Sequence, residues 1–576
     1  MDPLTFELIK NSLSVICDEM ALTMARAAYS PVIREQLDFT TAILALDGEV
    51  IVQGRENGLH LGSVMSAFRG IHKKFGDNMH PNDIFINNDP YEGGSHLPDL
   101  FIIKPIFIGQ RLVAFAGAEA HMSDIGGRVP GSNASDSTEI YQEGLRIPPS
   151  FLFVKGEPNR TLWDLLGKNV RQPDRVIGDI HAILAAVAVG EREFLRLVEQ
   201  YGHDRLQFYI REIMAYTERM ARSEIASWPD GEYFFEDAID DDGIDPDPIP
   251  IRIKVSVRGD ELEIDFTGTA PQVRSAINTP GSFTKAACFM AVRAIMKNDL
   301  PHNAGFTRPL RIHVPEGTVL NPLPPAAVAA RALAAFRTIN AVFGAFAQIV
   351  PERVMAADEG GNALITFAGK DREENPWLYT DIHLGAWGGR HDRDGLDATC
   401  GLSASTANTP CEVIELEYPL LVRQYSFVQD HCGAGKYRGG FSMVRDYEVL
   451  IDNTMVQVRS DRAKIRPYGL FGGARGTPSA NYLESKRGQQ KMPSKFMAWL
   501  NAGDIYQCRL ASGGGWGNPL ERDPALVQRD IRNEMISVEY AAREHGVVID
   551  RDTGLIDQDA TNQSRASLST ISSNRD

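Results

Sequence analysis

The chain has 576 residues, 43% of them hydrophobic and 23% charged, a globular balance that can bury sizeable cores in roughly three or four folding units. A net charge of -17 and a pI near 5.3 exclude a general nucleic-acid binder and a protein held on an anionic membrane, since both need excess Lys and Arg. Six scattered cysteines with no C-x-x-C pair exclude a disulfide framework and a zinc ribbon, and fit a reducing cytoplasm.

In chain order, Leu4, Leu8, Ile9, Leu13, Ile16, Met20 and Met24 recur at helical spacing and predict an amphipathic helix over 4–30, closed by Pro31. The N-terminus lacks a basic stretch followed by an apolar one, so no signal peptide is expected, and no apolar run reaches spanning length. Strands are predicted at 41–46 and 50–53 around Asp47-Gly48, a helix at 62–75, then strands at 84–87, 101–108 and 111–117. The stretch 122–160 is rich in Gly, Pro, Ser and Asn, an irregular segment of the kind that carries function. Helices follow over 175–225. The acidic run 237–247 reads as a solvated turn, because it lacks the ligand spacing of a calcium loop.

Beyond it, a hairpin is predicted at 251–266 and buried Ala-rich helices at 285–297 and 325–349. Residues 411–510 read as β-rich, and 524–545 as the last ordered helix. The polar tail 558–576 reads as disordered. The expected fold class is mixed α/β (α+β). A metal-binding region spans about 1–245, an α/β part 246–410, a β-rich part 411–520 and a helical segment 521–557.

The chemistry concentrates in two segments. Asn88-Asp89-Pro90-Tyr91-Glu92-Gly93-Gly94-Ser95-His96-Leu97-Pro98-Asp99 forces a tight loop between strands. There His96 and Asp99, three apart in a turn, can reach one cation. His121-Met122-Ser123-Asp124 ends the strand predicted to pair with the one after Asp99, so a hairpin returns His121 toward His96. Asp38 comes from an earlier loop between helix and strand. Two His and two carboxylates form a mixed nitrogen/oxygen set suited to zinc, manganese or iron(II).

The bland alternatives are a turn hydrogen bond for His96 and Asp99 and a strand-end cap for His121. His60, His72, His80 and His203 read as structural. Gly433 to Gly440 lacks the order of a phosphate loop, because Tyr437 follows Lys436. Gly513-Gly514-Gly515-Trp516-Gly517 reads either as a close backbone approach to a ligand or as a linker. No G-x-S-x-G elbow occurs.

On these residues the chain resembles the hydantoinase B/oxoprolinase family. The carrying segments are Asp2-Pro3, the Asp38 loop, Asn88 to Asp99, His121 to Gly127, Asp265 to Arg274, Asn321-Pro322, Gly433 to Gly440 and Gly513 to Pro519. The family's usual Thr before the first His is Ser95 here, and its usual Asp after Gly-Trp-Gly is Asn518.

The resemblance implies the β-type subunit of an ATP-dependent enzyme that opens lactam or hydantoin-type rings. Its partner would be a hydantoinase A-type subunit, with ATP and Mg in that partner and an (αβ)2 heterotetramer as the assembly. A divalent metal, zinc favoured over manganese, would sit on Asp38, His96, Asp99 and His121. His121 and Asp124 are the expected catalytic residues, Asp124 orienting a ligand or acting as general base. Bicarbonate is a possible co-substrate. The alternatives are a subunit of an ATP-dependent ketone carboxylase and a non-catalytic scaffold.

Overall fold

The computed structural model describes residues 1–56, 58–76, 78–361, 363–402, 406–550 and 553–572. Helix α1 (Pro3–Ala27) opens the chain, with the Asp2 carboxylate accepting from the Thr5 N–H at 3.0 Å. It stops three residues earlier than the periodicity suggests, and α2 (Pro31–Arg34) follows. Next come β1 (Phe39–Leu44), β2 (Val50–Gln53), α3 (Leu61–Phe75), β3 (Ile84–Asn87), β4 (Asp99–Ile108), β5 (Arg111–His121), β6 (Ser150–Val154) and β7 (Glu157–Pro158). The seven strands form one antiparallel sheet in the order β2-β1-β5-β4-β3-β6-β7.

Helices α4 (Arg160–Asn169), α5 (Pro173–Tyr201) and α6 (His203–Ile225) follow, and α5 packs against α1 and the sheet. Small side chains make that approach possible. A Cβ on Gly190 of α5 would lie 2.6 Å from Met20 Sδ and 3.1 Å from Ala116 Cβ.

A second unit combines β8 (Gly231–Ile239), β9 (Ile249–Arg258), β10 (Glu261–Asp265), α7 (Gly281–Ile295), β11 (Leu310–His313) and α8 (Ala332–Phe346). Its sheet runs β11-β10-β9-β8. Every residue of α8 is buried, as an Ala-rich helix apolar all round should be. This helix starts at Ala332, not at 325. The preceding segment is non-helical and is tied down by side chains: Glu143 Oε1 accepts from the Val328 and Ala329 N–H groups at 2.8 Å each, and Asn278 Nδ2 donates to Ala327 O at 3.1 Å.

Two further sheets interleave in sequence. They comprise β12 (Ala363–Lys370), β13 (Pro376–His383), helix α9 (Cys411–Glu417), β14 (Leu420–Phe427), β15 (Met443–Val449), β16 (Thr454–Arg459), β17 (Ala480–Ser485), β18 (Gly488–Met492), β19 (Lys495–Leu500) and β20 (Ile505–Arg509). One sheet is β13-β12-β16-β19 and the other β14-β15-β20-β17-β18. They share a core that includes Phe367, Tyr447, Val456 and Tyr506.

The glycine-rich segments stack backbone on backbone beside this pair. A Cβ on Gly513 would lie 2.0 Å from Trp387 O, and one on Gly515 2.0 Å from Ala434 O. Main chain, not a linker, therefore occupies the space that the missing side chains leave.

Two expectations are corrected. The acidic run is a solvated turn only in its second half, where Asp245 and Asp247 are exposed, whereas Asp237, Asp240 and Asp242 are buried. Asp240 accepts from the N–H groups of Ala463, Lys464 and Ile465, and Asp237 pairs with Arg462 at 3.0 Å. The tail is not disordered through 572. After α10 (Pro524–Arg532) and α11 (Val538–His545), α12 spans Gln558–Ser572. Arg565 on it donates to His545 O and Arg522 O, and Thr561 accepts from the Val548 N–H. Residues 573–576 lie outside the described residues. Among the described residues no helix is long and apolar enough to cross a membrane.

Candidate metal centre

The loop from 88 to 98 is built by its own polar side chains. Asn88 Nδ2 donates to Leu97 O at 2.7 Å and to Leu145 O at 3.0 Å, while its Oδ1 accepts from the Ile147 N–H at 2.6 Å. Asp89 caps a short turn by accepting from the Tyr91 N–H, and Arg146 holds its other oxygen at 2.6 Å. Gly93 takes φ 101° where the chain reverses. The fixed loop delivers His96 just before β4.

The β4/β5 register then places Asp99 directly opposite His121, so the hairpin closes the arrangement expected from sequence. The two imidazole centroids lie 5.0 Å apart. One ligand atom each from His96, Asp99 and His121 all fall within 4.8 Å of one another, and all three residues are buried. Asp38 lies next to them: its carbonyl accepts from the His121 N–H at 3.1 Å, and its side chain lines the same cavity.

Both ring nitrogens of His96 lie beside acceptors. Burial, reinforced by Arg331, pulls its pKa down to about 3, so the ring is neutral and carries one N–H. Nδ1 lies 2.9 Å from Ala329 O and Nε2 2.9 Å from Asp99 Oδ1. Both neighbours are acceptors. With the proton assigned to Nδ1, facing the carbonyl, the Nε2 lone pair confronts a carboxylate, a repulsion that a bound cation removes. The other oxygen of Asp99 accepts from Ser95 Oγ–H and from Arg331. His121 Nδ1 is buried without a hydrogen-bond partner, and burial lowers the pKa of this ring too, against the pull of Asp38. His121 thus keeps a buried ring nitrogen without a hydrogen-bond partner in a cluster whose donor set fits a divalent metal ion.

The cavity leaves ≈ 60 Å³ for the centres of water-sized molecules, room for several atoms beyond an ion. Its polar end carries Asp38, His96, His121, Arg331 and Arg459. Its apolar wall includes Phe283, Phe336, Leu364 and Ile382. Leu364, Ile382 and Arg459 meet in register across β12, β13 and β16, so the third sheet floors the cavity.

Asp124 does not join this group. Its two oxygens accept from the N–H groups of Gly126, Gly131 and Arg171 and from the Arg171 guanidinium at 2.9 Å, and it does not line the cavity. These bonds make Asp124 an anchor of the 124–131 loop. His80 does meet a carboxylate, the buried Asp83 at 3.6 Å, with its own ring partly exposed. Sequence reasoning missed Arg331 and Arg459. The available signal was a lone cation inside an apolar run, in Val328-Ala329-Ala330-Arg331-Ala332-Leu333 and in Met455-Val456-Gln457-Val458-Arg459.

The sequence model of the hydantoinase B/oxoprolinase family matches residues 2–519. Caprolactamase subunit beta of Pseudomonas jessenii is 31% identical over 585 residues, covering 98% of this chain and 99% of that one. The crystal structure of the ATP-dependent caprolactamase from the same organism superposes with a TM-score of 0.91 at 30% identity, over 98% of this chain and 100% of that chain. The nucleotide-free structure of an acetone carboxylase matches with a TM-score of 0.90 at 17% identity, over 100% of this chain and 84% of that chain. This last likeness is one of fold.

Proposed function

Because the chain belongs to the hydantoinase B/oxoprolinase family, we propose that it is the metal-binding subunit of a cytoplasmic ATP-dependent enzyme that opens a lactam or hydantoin-type ring. The carrying observation is the convergence of His96, Asp99 and His121 from two strand ends, with His96, His121 and Asp38 lining a cavity that also has an apolar wall. A hydantoinase A-type subunit would bind ATP and Mg and activate the ring amide, with bicarbonate as a possible co-substrate. The assembly would be an (αβ)2 heterotetramer. The name of the caprolactamase relative as a beta subunit supports a partner chain.

A divalent ion, zinc ahead of manganese, would be held by Asp38, His96, Asp99 and His121. When bound it would supply a Lewis acid that polarises an oxygen or lowers the pKa of water. The chain's own residues prepare the site. Ala329 O fixes the His96 ring by accepting from Nδ1, so Nε2 presents its lone pair. Ser95 and Arg331 hold one oxygen of Asp99 and leave Oδ1 facing His96. Phe283, Phe336, Leu364 and Ile382 exclude water around an apolar ring. Glu143, whose carboxyl is pushed up to about 8 by burial, holds the backbone of the 328–329 wall.

The test is ATP-dependent ring opening with the A-type partner present, against a panel of lactams, hydantoins and ketones. Lactam or hydantoin opening by wild type, lost in His121→Ala, is the expected outcome. Label from bicarbonate retained in a new C–C bond would replace this reading with a carboxylase.

A further inference from the structure

The buried arginines of this chain divide into two groups. Arg337, Arg438, Arg445, Arg462 and Arg522 each face a carboxylate at hydrogen-bond distance: Asp461, Asp397, Asp381, Asp237 and Asp394 in turn. They obey the rule that a buried charge is paired. Arg459 does not. Only 6% of it is exposed, its Nε has no hydrogen-bond partner, and among the described residues no acceptor pairs with its guanidinium. Its neighbours across the cavity are a second cation, Arg331, and the more distant influence of Asp38.

Arg331 gives one amino group to Asp99 and lies over the Phe283 ring at 4.2 Å, with its own Nε unpartnered. Both guanidiniums line the void beside the His/Asp cluster. A planar fork is the geometry that takes two oxygens of one anion.

We propose that Arg459, with Arg331 beside it, docks an oxyanion, carboxylate or phosphoryl, carried by the ring substrate while the ring lies on the apolar wall. The proposal rests on reading this cavity as the ring-opening site. It limits the substrate class to rings that bear an anionic oxygen group, either their own carboxylate or one added on activation. A ring that neither carries an anionic group nor gains one on activation leaves Arg459 unanswered.

Calorimetric titration of the full-length, metal-replete chain tests it, with three probes: 5-oxoproline, 2-pyrrolidinone (the same ring without its carboxylate) and inorganic phosphate. Wild type is expected to bind at least one of the two anions about tenfold or more tighter than the uncharged ring. Arg459→Met removes that preference while metal content stays unchanged, and Arg459→Lys restores part of it.

A preference for 5-oxoproline that phosphate does not compete with assigns the group to carboxylates. Competition, or binding of phosphate alone, extends it to phosphoryl groups. Equal wild-type affinity for the charged and uncharged rings with no phosphate binding overturns the proposal, as does an Arg459→Met chain that keeps the preference. The wild-type comparison and the Lys variant decide the matter even if the Met variant does not fold. Metal analysis of the same samples separates the two readings: an Arg459-dependent preference in a chain that binds no metal keeps the anion site and sinks the metal centre, and a metal-loaded chain without preference does the reverse.

Discussion

Two buried histidine–aspartate pairs in this chain share one distance and differ in what surrounds it. His96 Nε2 lies 2.9 Å from Asp99, and His383 Nε2 lies 2.9 Å from Asp381. Around Asp381 the interior is packed: Arg445 approaches at 3.0 Å, the Tyr447 hydroxyl donates, and the His383 ring stacks on Tyr447. Arg445 and His383 hold the Asp381 carboxyl well below its usual range although burial works to raise it. The void beside His383 is only ≈ 10 Å³.

Both sites hold buried polar atoms without a hydrogen-bond partner, Asp381 Oδ1 and Arg445 Nε at the packed one and His121 Nδ1 and Arg459 Nε at the other, and they differ in the space beside them. Near Asp99 a second imidazole, an unpartnered nitrogen and an unpaired guanidinium look into ≈ 60 Å³. Neither the contact nor an unmet polar atom therefore marks a site; a void large enough for a ligand beside them does.

The comparison breaks most visibly at the imidazoles. His121→Ala is expected to reduce ATP-dependent turnover to background, while His383→Ala keeps the folded chain's bound metal; steady-state assays with the partner and metal analysis read both. Next in size, Arg445→Met strips a buried carboxylate of its cation. It should lower stability by about 3–5 kcal/mol, seen in urea unfolding, with metal content of the folded fraction unchanged.

A pH effect of similar scale sharpens the contrast with a histidine that is packed away from the cavity. His545, far from the cavity, has its pKa pulled down to about 4 by burial, against about 6.5 unfolded. Between these values the unfolded state binds the extra proton. The contribution is therefore fully present above pH 6.5 and is lost as pH falls toward 4. The loss is roughly 3 kcal/mol, and His545→Gln should flatten that acid limb of stability. The smallest effect is expected at Asp124. Asp124→Asn should cost about 1–3 kcal/mol of stability and less than about tenfold in turnover. A general base would instead cost about 10²–10⁴-fold, with little change in stability.

Much of this was legible in the residues. The loop around Gly93-Gly94 and the hairpin turn between β4 and β5 are local, so the sequence itself states that His96, Asp99 and His121 return to one place. The antiparallel N-terminal strands and paired helices follow their periodicities for the same reason. What stayed hidden depends on distant chain. Arg331 and Arg459 reach the cavity from segments more than two hundred residues beyond His96, and no local pattern announces that convergence.

The acidic run looked solvated because its partners, Arg462 and the 463–465 backbone, lie over two hundred residues away. The tail looked disordered because its composition is polar, yet Thr561 and Arg565 bond to buried backbone near α11. The spacing of Asp124 to His121 says nothing of Gly131 and Arg171, which the fold brings to its two oxygens.

Metal analysis of the purified full-length chain, alongside a His96→Ala/His121→Ala double variant, tests the central claim most directly. The account predicts a near-stoichiometric divalent transition ion in wild type and its loss in the double variant while both remain folded by circular dichroism. A folded wild-type chain that takes up no ion from metal-replete medium, or a double variant that keeps it, would contradict the account.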